Sequence, residues 1–202
     1  MPHGKFLVLE GIDGCGKGAQ LKLLVKYFES NGKKVYVTEE PSKLGLRRQI
    51  KEALANHNIN SGAMDALLFA ADRELHCEAE IVPNLRTHDF VISDRYYHSS
   101  YAYQVVQGMD RKWMMEINKH ATKPDLTVIF DLPAEIGLKR VQQDTTRTSK
   151  DKFERADFLE KVRKSYLELP KILNERIMII DANRSVETIF EDVKRAVHAL
   201  GV

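Results

Sequence analysis

Apolar positions along the chain fall into two spacings, and the two alternate. Short runs rich in β-branched and aromatic residues predict strands at Phe6–Leu9, Lys34–Thr38, Asp89–Ser93, Leu126–Asp131 and Ile177–Asp181. Between them, helical spacing predicts Ala19–Tyr27, Leu44–Asn56, Gly62–Leu85, Ser99–Gln107, Arg111–His120, Ala134–Gln143, Phe153–Asn174 and Val186–Leu200. Asn31-Gly32 reads as a helix stop, and Asn60 or Ser61 as the cap of the helix from Gly62. On that helix Met64, Leu67, Leu68, Ala71 and Leu75 form the apolar stripe. Strands alternating with helices predict an α/β fold: three layers, with a five-stranded parallel sheet covered by helices on both faces. Asp144–Lys152 (DTTRTSKDK) has nothing to bury and reads as a mobile loop. A length of 202 residues suits one domain spanning residues 1–202.

In such a sheet, ligands bind at the carboxyl ends of the strands. The first strand is followed by Gly11-Ile12-Asp13-Gly14-Cys15-Gly16-Lys17-Gly18, the second by Glu40, and the third by Asp94-Arg95. Strand, glycine loop, Lys, helix is the layout of a phosphate-binding P-loop. Glycines let backbone N–H groups converge on phosphate oxygens, and the helix turns its positive end to the same point. Lys17 adds a mobile cation. Asp94 stands where a Walker-B-type Asp holds Mg²⁺, directly or through water; it could equally cap the next helix, and the two roles are compatible. Arg95 is placed to bind phosphate oxygens in a fork. Arg73 and Arg147, taken singly, read as well as solvated charges.

Composition narrows the partners. The 43% hydrophobic and 30% charged fractions are those of an ordinary globular chain, which excludes disorder. A net charge of +2 does not point to nucleic acid. No apolar run approaches membrane-spanning length, and Met1-Pro2-His3 begins no signal peptide, so a cytoplasmic protein is expected. Two cysteines, Cys15 and Cys77, are too few for a disulfide framework or a zinc site, and the seven His show no ligand spacing.

Longer blocks carry a resemblance. They are Leu9-Glu10-Gly11-Ile12-Asp13-Gly14 with Gly16-Lys17, Thr38-x-Glu40-Pro41, and Leu68-Phe69-Ala70-Ala71-Asp72-Arg73. Asp94-Arg95-Tyr96 with Ser99-Ser100-x-Ala102-Tyr103-Gln104, Pro124-Asp125-Leu126 and Phe130-Asp131-Leu132-Pro133 complete them. Nearly end to end, the chain resembles the thymidylate kinases, nucleoside monophosphate kinases of the P-loop class. The resemblance implies a P-loop NTPase fold with a mobile lid at about 144–154, and Mg²⁺-dependent transfer of the ATP γ-phosphoryl to dTMP. It implies that Gly11 to Gly18, with Arg140 and Arg184, bind ATP. Asp13, Glu40, Pro41, Phe69, Arg73, Arg95, Ser99 and Tyr103 would surround dTMP. Phe69 would stack on the base, Arg73 would bond its carbonyl, and Arg95 would bridge the two nucleotides. Arg47, Arg48 or Lys51 would reach the dTMP phosphate, Arg48 being the residue assigned. The lid would supply Arg147 as a catalytic cation beside Lys17, Asp94 and Arg95. Family members are usually homodimers, and the Met64–Leu75 helix is the candidate interface.

Three departures stand out. Gly18 replaces the usual P-loop hydroxyl that holds Mg²⁺. Ala19 removes a further phosphate contact, worth about 1–2 kcal/mol. Glu39 stands where many bacterial members have Arg. They keep open a broader deoxynucleoside monophosphate kinase, and a P-loop protein that binds nucleotide without turnover.

Overall fold

A computed structural model provides the fold and describes residues 4–56, 58, 61–143 and 152–201. Arg147, Asn60 and most of the expected lid lie outside the described residues. Five strands, β1 (Lys5–Glu10), β2 (Val35–Glu39), β3 (Phe90–Asp94), β4 (Leu126–Asp131) and β5 (Ile177–Asp181), form one sheet in the order β2-β3-β1-β4-β5. All neighbours are parallel. Each predicted strand is present, within a residue or two of its expected ends. The central strands are buried on both faces, which is why they read as continuous apolar runs rather than alternating ones. Phe6, Val8 and Val91 pack with Cys77, Ile81, Leu85, Tyr96 and Tyr97. Leu7, Leu9, Phe90 and Ile92 join the larger cluster with Leu24, Phe28, Val193 and Val197.

The helices are α1 (Lys17–Ser30), α2 (Arg47–Ala55), α3 (Gly62–His76), α4 (Val82–Leu85), α5 (Tyr97–Val106), α6 (Arg111–Ile117), α7 (Ala134–Gln143), α8 (Ala156–Ile172) and α9 (Val186–His198). The predicted Gly62–Leu85 helix is interrupted. After α3 a π-helical turn spans Cys77–Ile81 before α4 resumes. Pro83 near the start of α4 has no N–H to give, so the regular α ladder cannot pass through it. Ser61 caps α3, its hydroxyl accepting from the Met64 N–H.

Helix α3 turns a largely polar face inward. Its apolar stripe does not face the core: Leu67 is 52% and Leu75 42% exposed, and Ala71 is exposed with them. The buried face carries Asp65, Asp72, Arg73 and His76. Periodicity located the helix correctly but not which side was inside, because a polar stripe with its own partners occupies the same period.

Candidate active site

The loop after β1 turns sharply into α1. Gly16 takes a left-handed conformation, φ 96°, as the residue before the helix, and no side chain caps the first turn. The open N–H groups of that turn are the anion-binding feature. Lys17 is buried, its ammonium folded onto the loop, donating to the Gly11 carbonyl at 3.0 Å. Gly14 is needed for a different reason. Its α-carbon lies against α7, and a Cβ there would meet the Gly137 carbonyl oxygen at 2.2 Å. Arg140, at the end of α7, donates to the Gly14 carbonyl at 3.2 Å.

Two cavities meet here. The first, of about 340 Å³, lies over the glycine loop and is lined by Gly14, Gly16, Lys17, Gly18, Glu39 and Asp94 among others. The second, of about 160 Å³, is lined by Pro41, Leu54, Phe69, Arg73, Ser99 and Tyr103 among others. Asp13, Glu40 and Arg95 line both.

β3 delivers Asp94 and Arg95 to this junction beside Leu9 of β1 and Glu39 of β2. Asp94 Oδ1 is buried with no hydrogen-bond partner. Nor does Asp94 cap α5. That role falls to Glu10, whose Oε1 accepts from the N–H groups of Tyr96 at 2.8 Å and Ser99 at 3.1 Å. Arg95 has φ 71°, a left-handed conformation unfavourable for a residue with a side chain. It is held there by its N–H to the Leu9 carbonyl, 2.9 Å, and by the Ser93 hydroxyl to its own carbonyl, 2.7 Å. Its guanidinium donates to Asp13 at 2.6 Å and to Ser99 at 3.0 Å. Burial opposes its charge, but the surrounding oxygens of Tyr103, Asp13, Tyr166 and Glu10 hold its pKa well above the ordinary value. Ser99, expected beside the nucleoside, both lines that cavity and cradles Arg95.

Arg73 is almost fully buried. Its Nε and Nη2 donate to Glu40 Oε2 at 3.1 and 2.6 Å, and Nη1 to Asn118 Oδ1 at 2.5 Å. Burial pulls its pKa down, the Glu40 carboxylate pushes it up, and the carboxylate prevails. Glu40 is therefore the counter-charge of Arg73 as well as a wall of both cavities. Its second oxygen lies 3.3 Å from His76 Nδ1. Phe69, one turn before Arg73 on α3, lines the same cavity.

Arg48 is not brought to the site: its side chain is 81% exposed and lies beside Glu52 on the outside of α2. Arg47, one residue earlier, turns inward. Its Nη1 donates to the Pro41 carbonyl at 2.7 Å and lies 3.0 Å from Glu39. Arg47 and Lys43 thus neutralise the carboxylate that looked misplaced in the sequence. Arg184 sits in the turn after β5, paired with Asp192, and lines neither cavity. Sequence reasoning missed Glu10, Asn118 and Tyr166. A Glu closing an apolar strand was the available signal for the first; Asn118, just past the end of α6, and Tyr166, on α8, carry none.

A phosphate loop and a second pocket sharing one arginine define a P-loop nucleotide kinase. The chain matches the family model described as thymidylate kinase over residues 9–193. It is 39% identical to a "Probable thymidylate kinase" of Thermococcus gammatolerans, covering 94% of both chains. It is 40% identical to a protein of the same name from Pyrococcus horikoshii, over 95% of this chain and 94% of the other. It is also 37% identical to the thymidylate kinase of Syntrophus aciditrophicus, over 96% and 94%. The chain belongs to the thymidylate kinase family.

Proposed function

We propose that the protein transfers the γ-phosphoryl group of ATP to dTMP, giving dTDP and ADP. The observation that carries this is the junction: Asp13, Glu40 and Arg95 border both the glycine-loop cavity and the Phe69–Arg73 cavity. An oxygen of the dTMP phosphate attacks the γ-phosphorus as the bond to the β–γ bridging oxygen breaks. That oxygen is already ionised at neutral pH, so no general base is required. Catalysis is positioning plus cations. Lys17 leaves the loop carbonyls for the outer phosphates, and Arg95 spans donor and acceptor. The buried, unpartnered Asp94 oxygen fits a magnesium ion, directly or through water, and supports a site made without the P-loop hydroxyl. Mg²⁺ would supply neutralisation of the phosphate charge.

Phe69 supports base stacking. The one Arg73 N–H not committed to Glu40, Asn118 or Ser100, on Nη1, supports bonding to a base carbonyl. Arg47, rather than Arg48, is the better-supported cation for the dTMP phosphate. The lid, about 144–154, with Arg147, and Arg184 at the adenine, complete this reading of one domain spanning 1–202. The outward apolar stripe of α3 supports a homodimer. Two free, buried thiols support a reducing, cytoplasmic setting.

The test is a coupled assay with ATP, Mg²⁺ and a panel of dTMP, dUMP and dCMP. A kcat/KM for dTMP at least tenfold above the others is expected. Equal rates across the panel would favour the broader kinase, and ATP binding without any diphosphate formed would favour a non-catalytic binder.

A further inference from the structure

We infer that Tyr166 and Glu10 are positioning residues for Arg95, acting through an ordered set of hydroxyl groups. Glu10 is fully buried at the end of β1, and Tyr166 on α8 is 2% exposed. Glu10 Oε1 is occupied by the N–H groups of Tyr96 and Ser99. Its Oε2 receives the Ser99 hydroxyl at 2.7 Å and the Tyr166 hydroxyl at 2.8 Å. Each hydroxyl has a single hydrogen; Ser99 Oγ and Tyr166 Oη are also 2.9 Å apart, so those hydrogens go to the carboxylate or from one hydroxyl to the other. Both therefore turn lone pairs outward, and both lone pairs meet Arg95 Nη1, at 3.0 Å from Ser99 and 3.3 Å from Tyr166. Two acceptors take the two Nη1 hydrogens. The other contact, Nη2 to Asp13 at 2.6 Å, is half open to solvent on the Asp13 side.

The guanidinium is thus held at one end by a buried cage of hydroxyl groups and at the other by an exchangeable carboxylate. A phosphoryl oxygen can displace Asp13 without disturbing Nη1. The cage reduces the orientational freedom Arg95 must lose at the transition state, where preorganised charge has its largest effect. Tyr166 touches no substrate in this arrangement and works only through Arg95. It also ties α8, the first helix after residues 144–151, to the β1–β3 junction.

This inference rests on the reading of the cleft as a phosphoryl-transfer site. The isosteric Tyr166→Phe removes the acceptor and keeps the ring. We expect kcat to fall about tenfold, with KM for ATP and dTMP changed by no more than about twofold. In an Arg95→Lys background, the same change should cost nothing further. Full kcat in Tyr166→Phe, or an equal loss in the Arg95→Lys background, overturns the inference. Should Tyr166→Phe fold poorly, Ser99→Ala removes the other acceptor and is expected to lower kcat likewise and to cost kcat nothing further in the Arg95→Lys background, while KM for dTMP, whose cavity Ser99 lines, is not used as the readout. A readout independent of turnover is the ¹⁵N NMR signal of the Arg95 guanidinium. Restricted Nη1 rotation in the wild type, lost in Tyr166→Phe, supports the cage, and free rotation in both refutes it. If the wild type forms no dTDP, the kinase reading fails while the NMR comparison still decides the cage.

Discussion

At Arg95 the main chain and the side chain are fixed by different partners, and both matter. The left-handed backbone aims the side chain at the cavity junction, and the Asp13 and Ser99 contacts keep it there. Arg95→Ala is expected to lower kcat by about 100-fold or more while circular dichroism and Tm stay near wild type. Near-normal turnover would remove Arg95 from the mechanism. Arg73 behaves differently because its charge is buried with Glu40, each side chain only 2% exposed. Arg73→Ala would strand that carboxylate, so a loss of about 3–5 kcal/mol in urea unfolding is expected beside weakened dTMP binding. The residue types of this site were legible in the chain, and in the structure Lys17, Asp94, Arg95, Phe69 and Arg73 each line a cavity. Their partners were not legible in the chain. Glu40 with Arg73, or Tyr166 with Arg95, meet across 33 and 71 positions of sequence, and no local pattern encodes such a pairing.

Among elements, the glycine loop and α7 set the tightest constraint. Gly14 and Gly137 face one another so closely that neither tolerates a side chain: a Cβ on Gly137 would meet the Asp13 carbonyl at 2.6 Å. Gly14→Ala should push the loop off α7, with KM for ATP raised about tenfold or more in steady-state assays. An unchanged KM would show that the loop relaxes without cost. The sequence marked Gly14 only as part of the phosphate-binding glycine loop; its role in close packing needed the position of α7. Helix α3 teaches the converse. Its start and cap were readable, but its orientation depended on Asp72, Arg73 and His76 finding polar partners inside. Asp72 Oδ2 accepts from the Ser42 N–H at 2.7 Å, and Oδ1 from the Ser42 hydroxyl at 2.8 Å. Satisfied in this way, buried polar groups cost little, and the helix can turn its leucines outward.

For the molecule as a whole, that outward stripe predicts association. Leu67→Glu combined with Leu75→Glu should convert a dimer to a monomer in analytical ultracentrifugation. A wild-type monomer at micromolar concentration would refute the proposed interface. Acid stability should also follow one buried contact. Burial pushes the Glu175 carboxyl up, but the hydrogen bond and charge of His98, 3.0 Å away, outweigh it and hold the pKa below its ordinary value. A depressed carboxylate stabilises the fold above its unfolded pKa, near 4.3, and that stability is lost as pH falls through the lower folded value. Chemical unfolding of Glu175→Gln should therefore show a flatter dependence below about pH 5 than the wild type. Parallel strands, crossover helices and a binding edge at the strand ends were all predicted, because each follows from local spacing of apolar and glycine residues. The chain by itself determined the sheet, the phosphate loop and the kinds of charge at the strand ends. Only the tertiary structure decided that Glu10 caps α5, that Arg47 rather than Arg48 turns inward, and that α3 buries its polar face. Local order depends on neighbours a few residues apart; the satisfaction of a buried charge depends on groups that meet only when the sheet has closed.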